Sequence, residues 1–368
     1  MSSQQSAVPA ADGGLIAALD IGGTKIAGAL VAADGTLVHR ARRATPAQES
    51  TDVLLGAVYE VVNSLAVSPH WENVRALGVG SAGPVDLARG AVSPVNIPAW
   101  RDYPLRGLVG AHPALADRPV VLAGDAVAMA AAEHRHGAAR GHENALCLVV
   151  STGVGAGLIL NGGVHHGLTG NAGHLGHISV DFDGEPCPCG ASGCLEGIAS
   201  GTAIARYALS LGWQPTSTAD AAAVAAAARN GDAAAAKAFD RAARALAAGI
   251  AATAALIEVE VAVVGGGVAH SGEVLFAPLN HHLRHYAAMP FLRHLRAVPA
   301  ELGSDSGLVG AAVLAEAATA VAPVSGDNSH VAADRRYATI APPVERAESC
   351  STAPVGRTAA SLASPPGS

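Results

Sequence analysis

The sequence predicts an α/β protein of two lobes, each with the ribonuclease-H-like sheet of an actin-like ATPase, together with a structural zinc loop. A strand, a glycine-containing turn and a returning strand occur at residues 15–32 and again at 145–160. The first of these units continues with a third strand, a helix and a further strand, which is the element order of such a lobe. A loop at 173–196 contains three cysteines and two histidines, the residue types that bind zinc.

Composition limits the function. A chain of 368 residues is long enough for two lobes with sizeable cores. The formal net charge of −7, without a basic run, argues against a nucleic-acid partner. Residues 1–13 lack the apolar region of a signal peptide, and no apolar stretch is suited to crossing a membrane. Cysteines clustered as metal ligands then favour a cytoplasmic location.

The first glycine turn is a candidate phosphate cradle. It follows an apolar strand that ends at Asp20, and it contains Gly22, Gly23, Thr24 and Lys25. Glycines allow backbone N–H groups to approach phosphate oxygens, and the threonine adds a hydroxyl. The carboxylate of Asp20 could hold Mg²⁺ directly or through water. An ordinary β-hairpin is the alternative interpretation of this stretch.

Asp125 occupies a junction between a strand and a helix. The first lobe continues after its third strand with a predicted helix at 51–65 and strands at 76–79, 90–95 and 120–122. Gly124 and Asp125 follow the last of these strands and precede an alanine-rich helix at 126–134. An aspartate at this position is either a helix N-cap or a functional carboxylate, and the local pattern alone leaves both open.

The second lobe repeats the glycine turn. Thr152 and Gly153 follow the strand that begins at 145, in which Cys147 is predicted to be a core residue. A strand at 261–264 ends in a glycine triplet, which would let a flat ring approach the backbone; the triplet is Gly265, Gly266 and Gly267. Helices are predicted at 202–211, 219–229, 233–256 and 306–320.

The loop at 173–196, which follows the second repeated unit, has the composition of a closed zinc site. Four ligands of the right type are present, namely His177, Cys187, Cys189 and Cys194. Glycines and a proline separate the cysteines, which rules out a buried helix or strand there. A metal-free thiol loop or a disulfide is the alternative. A zinc ion would also fix two neighbouring polar side chains suited to reading hydroxyl groups, His174 and Glu196.

These patterns predict the domain organisation. The N-terminal lobe is expected at 14–123, completed by a C-terminal helix at 306–321, and the larger lobe with the zinc loop at 124–305. The remaining residues, 322–368, are rich in Pro, Ser and Ala and are predicted to be a disordered tail.

From Leu15 to Ala320 the sequence resembles the ROK family of bacterial sugar kinases, especially its actinobacterial glucokinase-like members. Residues 20–25 and 151–157 are similar to the family's two phosphate motifs, and 265–269 to its adenosine motif. The cysteine–histidine set resembles the family's highly specific zinc signature. The resemblance implies a kinase that moves the γ-phosphoryl group of MgATP to a hexose hydroxyl, usually O6, with ATP, Mg²⁺ and structural Zn²⁺ as cofactors.

The resemblance also implies roles for individual residues. Asp125 falls at the catalytic base, and Asn96 in a sugar-side Asn-x-Pro-x-Trp motif that ends at Trp100. His177 and Glu196 are expected to contact the sugar. Family members are often dimers or tetramers, so a homo-oligomer is expected. An intact Asp125 argues against a sugar-sensing pseudokinase. A family repressor would need a winged-helix segment, for which the 14 residues before Leu15 are too few.

The sequence departs from the family at two sugar-contact positions. Gly124 stands where the family usually has Asn, and His174 where it usually has Glu. Loss of a carboxylate disfavours a protonated amino sugar, although Glu196 still supplies one. We therefore predict that glucose or a close neutral relative is the acceptor, with another hexose or an amino or acylamino hexose as the alternative.

Overall fold

The computed structural model describes residues 14–216 and 218–321. The first sheet contains five strands in the order β3-β2-β1-β4-β7. β2 and β3 continue antiparallel from β1, whereas β4 and β7 run parallel to it. A separate two-stranded hairpin, β5–β6, follows β4. These elements are β1 Leu15–Ile21, β2 Lys25–Val31, β3 Leu37–Ala44, β4 Val74–Ser81, β5 Val85–Asp86, β6 Ala91–Val92 and β7 Val120–Gly124.

The second sheet repeats this topology, with the order β10-β9-β8-β11-β12. β9 and β10 continue antiparallel from β8, and β11 and β12 are parallel to it. The internal duplication predicted from the two glycine turns is therefore confirmed. The strands are β8 Ala145–Val150, β9 Val154–Leu160, β10 Gly163–His165, β11 Val261–Gly265 and β12 Ala297–Pro299.

The predicted helices are present with small shifts at their ends, and the structure adds α2, α4 and α8. In α8 the proline at 278 has no backbone N–H, which weakens the sequence signal for a helix. The helices are α1 Thr51–Ala66, α2 Leu105–Gly110, α3 Asp125–His136, α4 Glu196–Ala199, α5 Gly201–Ser210, α6 Ala221–Arg229, α7 Ala233–Ile257, α8 Glu273–Tyr286 and α9 Ser306–Val321.

Helix α1 illustrates how local sequence produces an element. Ser50 caps the helix by accepting a hydrogen bond from the N–H of Val53. The buried residues recur at helical spacing and pack in the core of the first sheet; they are Leu54, Val58, Val61, Val62 and Leu65. The opposite face remains exposed, so this helix covers one side of the first sheet.

Helix α3 lies between the two sheets. One side packs against α9, with Val127 and Ala128 close to Val309. The other side, which includes Met129, packs in a cluster with residues of the second sheet. A Cβ atom on Gly310 of α9 would overlap the carbonyl of Ala128, so the two helix backbones are in direct contact. Small residues thus hold the start of α3, where Asp125 lies, in a fixed place between the sheets.

Glu133 anchors the other end of α3 and is fully buried. Its carboxylate accepts hydrogen bonds from the N–H groups of Ala138 at 2.9 Å, Glu301 at 3.1 Å and Leu302 at 2.9 Å. Two of these donors belong to the segment that leads into α9. The carboxylate therefore ties α3 to a part of the chain about 170 residues later.

Replacing Glu133 by Ala should lower the free energy of unfolding by about 3 kcal/mol or more, because three N–H groups lose the buried carboxylate that accepts their hydrogen bonds. Chemical denaturation measures this change. Glu60→Ala is the matched control, since Glu60 is an exposed residue paired with Arg43. This substitution should lower the free energy of unfolding by less than about 1 kcal/mol. Equal effects of the two substitutions would contradict the anchoring role.

Among the described residues, no helix combines the length and apolar character needed to span a membrane. The predicted tail at 322–368 lies outside the described residues, so the prediction of disorder remains a prediction.

Candidate active site

The candidate site begins where three strands of the first sheet end. Ile21 of β1 pairs with Ser81 of β4, which in turn pairs with Gly124 of β7. Because these strands are parallel, the segments that follow them emerge side by side at one edge. The first glycine turn and the start of α3 are thereby brought together.

The first glycine turn is a tight hairpin. The N–H of Gly22 donates to the carbonyl of Lys25 at 3.0 Å, and the Thr45 hydroxyl donates to the carbonyl of Gly22 at 2.7 Å. Thr24 and Lys25 are exposed and free to meet a ligand. A Cβ atom on Gly23 would overlap the side-chain amide of Asn96, so the glycine allows this close approach. Asn96 therefore lies directly against the predicted phosphate cradle.

Two carboxylates at this edge, those of Asp20 and Asp125, are close enough for the charge of Asp20 to act on Asp125. Burial raises the pKa of Asp20, and the nearby charge of Lys25 partly offsets that rise. Burial also raises the pKa of Asp125 to about 6, and the negative charge of Asp20 adds to the increase. The Ala126 N–H donates a hydrogen bond to the Asp125 carboxylate at 2.7 Å, which lowers the pKa and partly offsets the increase. A carboxyl group with a pKa of about 6 is ionised at neutral pH and is suited to accept a proton.

The structure tests one of the two interpretations of Asp125 left open by the sequence, the helix N-cap. Gly124 occupies the N-cap position of α3, without a side-chain cap, and Asp125 is the first helical residue. Its carboxylate bonds to the adjacent N–H rather than to one two or three residues further along, as a capping side chain would. In this structure the Asp125 side chain does not cap the helix.

Helix α9 also begins at this site. A Cβ atom on Gly307 would lie 2.9 Å from the carboxyl carbon of Asp20, so the helix start is in contact with that aspartate. Just before the helix, Asp305 accepts two hydrogen bonds of 2.7 Å from the guanidinium group of Arg40 on β3. Arg40 lowers the pKa of Asp305, as does Lys25 to a smaller extent. This bidentate pair fixes the helix start beside the first hairpin.

The second glycine turn is organised by Glu196. The carboxylate of Glu196 accepts a hydrogen bond from the N–H of Val154 at 2.8 Å and lies against Gly153. The Thr202 hydroxyl donates to the carbonyl of Thr152 at 3.2 Å. Glu196 was predicted to contact sugar, and the structure places it next to the predicted phosphate turn. Thr202 was missed by the sequence analysis, although Ser200 before it is a recognisable helix cap.

The glycine triplet after β11 contains three different environments. A Cβ atom on Gly265 would press against Met129, and one on Gly266, which has φ +85°, would overlap the carbonyl of Val150. A Cβ atom on Gly267 would meet nothing within 4 Å. Of these three positions, Gly267 therefore has the open face that an approaching ring needs, whereas Gly265 and Gly266 are required by packing and by the turn.

The predicted zinc ligands converge. The candidate ligand atoms of His177, Cys187, Cys189 and Cys194 all lie within 4.8 Å of one another. The Cys187 sulfur is 3.7 Å from His177 Nδ1, and the sulfurs of Cys189 and Cys194 are 3.6 Å apart. A tetrahedral zinc ion with Zn–S bonds of about 2.3 Å places its ligand atoms about 3.6–3.8 Å apart. The cluster fits zinc, and its sulfur separation is too long for a disulfide.

The two residues that depart from the family pattern lie near the ends of two neighbouring strands, Gly124 at β7 and His174 near β4. Gly124 has ordinary backbone angles, and a Cβ atom there would meet nothing closer than 3.8 Å, so this position has room. His174 is exposed, and its ring lies near Gly83, which follows β4. Its ring centre is 6.3 Å from that of His177. His174 therefore connects the zinc loop to the first sheet.

The sequence is similar to known sugar kinases over most of its length. The sequence profile of the ROK family matches residues 16–318. A glucokinase from Thermotoga maritima is 34% identical over 80% of this chain and 95% of its own length. An N-acetylmannosamine kinase from Yersinia pseudotuberculosis is 37% identical over 82% of this chain and 98% of its own.

A solved structure is similar over the same range. The ROK family glucokinase from Streptomyces griseus, in complex with glucose and AMPPNP, has a TM-score of 0.71 and 35% identity. The match covers 82% of this chain and 99% of that one. Two five-stranded sheets of the same topology, each with a glycine turn between its first two strands, define an actin-like ATPase fold, as predicted. Within that class, the chain belongs to the ROK family.

Proposed function

We propose that this protein is an ATP-dependent hexose kinase that transfers the γ-phosphoryl group of MgATP to O6 of glucose. The observation that carries the proposal is the buried carboxyl of Asp125, with a pKa of about 6, beside Asp20 and the first glycine hairpin. The family, whose similar members include glucokinases, supports the same reaction.

In the proposed reaction, Asp125 accepts the proton of the attacking sugar hydroxyl. The hydroxyl oxygen forms a bond to the γ-phosphorus, and the bond to the ADP oxygen breaks. The N–H groups of the two glycine hairpins, with Thr24 and Thr152, orient the phosphates, and Lys25 adds positive charge. Gly267 leaves room for the adenine ring. Asp20 would hold Mg²⁺, which arrives with ATP and neutralises charge on the transferring group.

Zinc would be held by the cysteine–histidine cluster with a structural role. All four positions would be filled by the protein, so none remains for catalysis. Coordination through His177 Nδ1, the nitrogen nearest to Cys187, would leave Nε2 available for a sugar hydroxyl. The metal would thereby keep His177 in place, and Glu196 and Asn96 are the other proposed sugar contacts.

The proposal also specifies which sugar accepts the phosphoryl group. The similar relatives include both glucokinases and N-acetylmannosamine kinases, so an acylamino hexose is the alternative acceptor. The imidazole of His174, which stands in place of a carboxylate, and the open space at Gly124 favour a neutral hexose. We also propose a cytoplasmic homo-oligomer, with lobes at 14–123 plus 306–321 and at 124–305.

A sugar panel tests this function. Release of ADP should be fastest with glucose, compared with mannose, N-acetylmannosamine and aminoglucoses. His174→Glu adds a carboxylate and should shift kcat/KM toward aminoglucoses by about fivefold to tenfold, with the KM for ATP unchanged. Gly124→Asn is a second variant, since a Cβ atom at this position would meet nothing closer than 3.8 Å. Absence of ADP release with every hexose would refute the kinase, and a native preference for an aminoglucose would refute the argument from charge.

A further inference from the structure

Asn171 joins the segment before the zinc loop to the β5–β6 hairpin. Its side-chain oxygen accepts a hydrogen bond from the N–H of Val85 at 2.9 Å, and its side-chain N–H donates to the carbonyl of Val85 at 2.6 Å. It also donates to the Thr169 hydroxyl at 2.9 Å, and the N–H of Leu87 donates to the Thr169 carbonyl at 3.2 Å. The amide thus pairs with β5 as a neighbouring strand would.

The backbone of Asn171 determines the tautomer of His174. His174 Nδ1 lies 2.9 Å from the Asn171 carbonyl. A carbonyl oxygen only accepts hydrogen bonds, so Nδ1 carries the proton. In the neutral ring, Nε2 is then an acceptor, and it lies on the side of the ring nearest to Gly83. His174 is exposed, so a ligand can reach this nitrogen.

The side-chain contact of Asn171 with Val85 and its carbonyl contact with His174 together fix the position of the histidine ring. Val85 lies two residues after Gly83, and the Asn171 side chain fixes the distance between its own backbone and that segment. The Asn171 carbonyl then holds the histidine ring between them. If the side chain of Asn171 were lost, the ring would keep its hydrogen bond but lose its fixed position relative to the first sheet.

We propose that Asn171 is a positioning residue that holds His174 as a hydrogen-bond acceptor for the sugar. This rests on the proposed sugar kinase function and adds the chemical class of the group that is recognised. The sugar group at this position is a donor, either a hydroxyl or an amide N–H. His174 therefore retains the accepting role of a carboxylate without its charge.

A double-mutant cycle tests the proposal. Asn171→Ala should raise the KM for glucose by about 3- to 10-fold, the range expected for one misplaced neutral hydrogen bond, with smaller changes in kcat and in the KM for ATP. His174→Ala should raise the sugar KM similarly. In the double variant the effects should not multiply, because Asn171 acts through His174. Multiplicative effects would overturn the positioning role.

Asn280 provides the matched control. Its side chain makes the same two-way pair with the backbone of Ala297, with both hydrogen bonds at 2.9 Å, at the far edge of the second sheet. Asn280→Ala and Asn171→Ala should both lower the melting temperature, but only Asn171→Ala should change the sugar KM. A similar KM change in both variants would mean that general destabilisation is responsible.

Sugar analogues test the accepting role directly. Each hydroxyl of glucose is replaced in turn by hydrogen or by fluorine, and the position affected by His174→Ala identifies the partner. Neither substituent donates a hydrogen bond, so both should weaken binding equally at that position in the native protein. If fluorine restores binding there, His174 is a donor and the inference is wrong. If no hexose is phosphorylated by the native protein, the proposed function fails and this inference fails with it.

Discussion

Asp125→Asn is expected to reduce kcat by about 10²–10⁴-fold, the range for loss of a general base, while ATP and sugar still bind. The amide has the same shape as the carboxylate but cannot accept the proton of the attacking hydroxyl. Steady-state kinetics measures kcat, and calorimetry measures binding of both substrates. Turnover close to that of the native protein would remove Asp125 from the mechanism.

The pH dependence follows from the same group. The base must be ionised, and the pKa of Asp125 is raised to about 6. Activity should therefore be constant above that pH and should fall with one proton as the pH decreases through about 6, seen in kcat/KM for the sugar. A profile that stays flat down to pH 4.5 would contradict this assignment.

A stability measurement distinguishes a base from a structural aspartate. The pKa of Asp125 is higher in the folded protein than its usual value, so the ionised form favours the unfolded state at neutral pH. This destabilisation is relieved as the pH falls below about 6. Asp125→Asn should then melt at the same temperature or higher at pH 7.5. Asp232→Asn is the matched control, since Asp232 caps α7 through the N–H of Ala235 and should leave kcat unchanged.

Cys189→Ser is expected to have the second large effect, with loss of most bound zinc and a lower melting temperature. A serine hydroxyl is a poor zinc ligand, and metal binding stabilises the folded loop. Cys189 is exposed, so loss of core packing cannot account for the change. The kcat/KM for sugar should also fall, because His177 and the neighbouring contacts depend on the loop. Elemental analysis of the purified protein should give about one zinc per chain for the native sequence.

Cys147 supplies the control for this experiment. It is a buried cysteine of β8, outside the cluster, and burial raises the pKa of its thiol. A protonated thiol does not bind zinc, so Cys147→Ala should retain the full zinc content. Equal zinc content in the native protein and Cys189→Ser would exclude this cysteine as a ligand, and absence of zinc from the native protein would exclude the site.

The sequence by itself determined the features that depend on neighbours along the chain. The glycine hairpins could be predicted because strand, turn and returning strand are contiguous. The zinc cluster could be predicted because His177 and the cysteines belong to one short loop whose glycines and proline leave no regular structure. The helices were found where apolar residues recur at helical spacing, as in α1. In each case the physical constraint acts over a few residues.

The tertiary structure decided the contacts that join distant parts of the chain. Asn171 meets Val85 across 86 residues, and Glu133 meets Leu302 across 169. Nothing in the local pattern around these residues indicates their partners, because hydrogen bonds to backbone N–H and carbonyl groups require no particular side chain on the partner. The elevated pKa of Asp125 likewise depends first on its burial and then, to a smaller extent, on the charge of Asp20, which the sheet brings to the same edge. Folding alone sets this proximity, and with it the acidity of the proposed base.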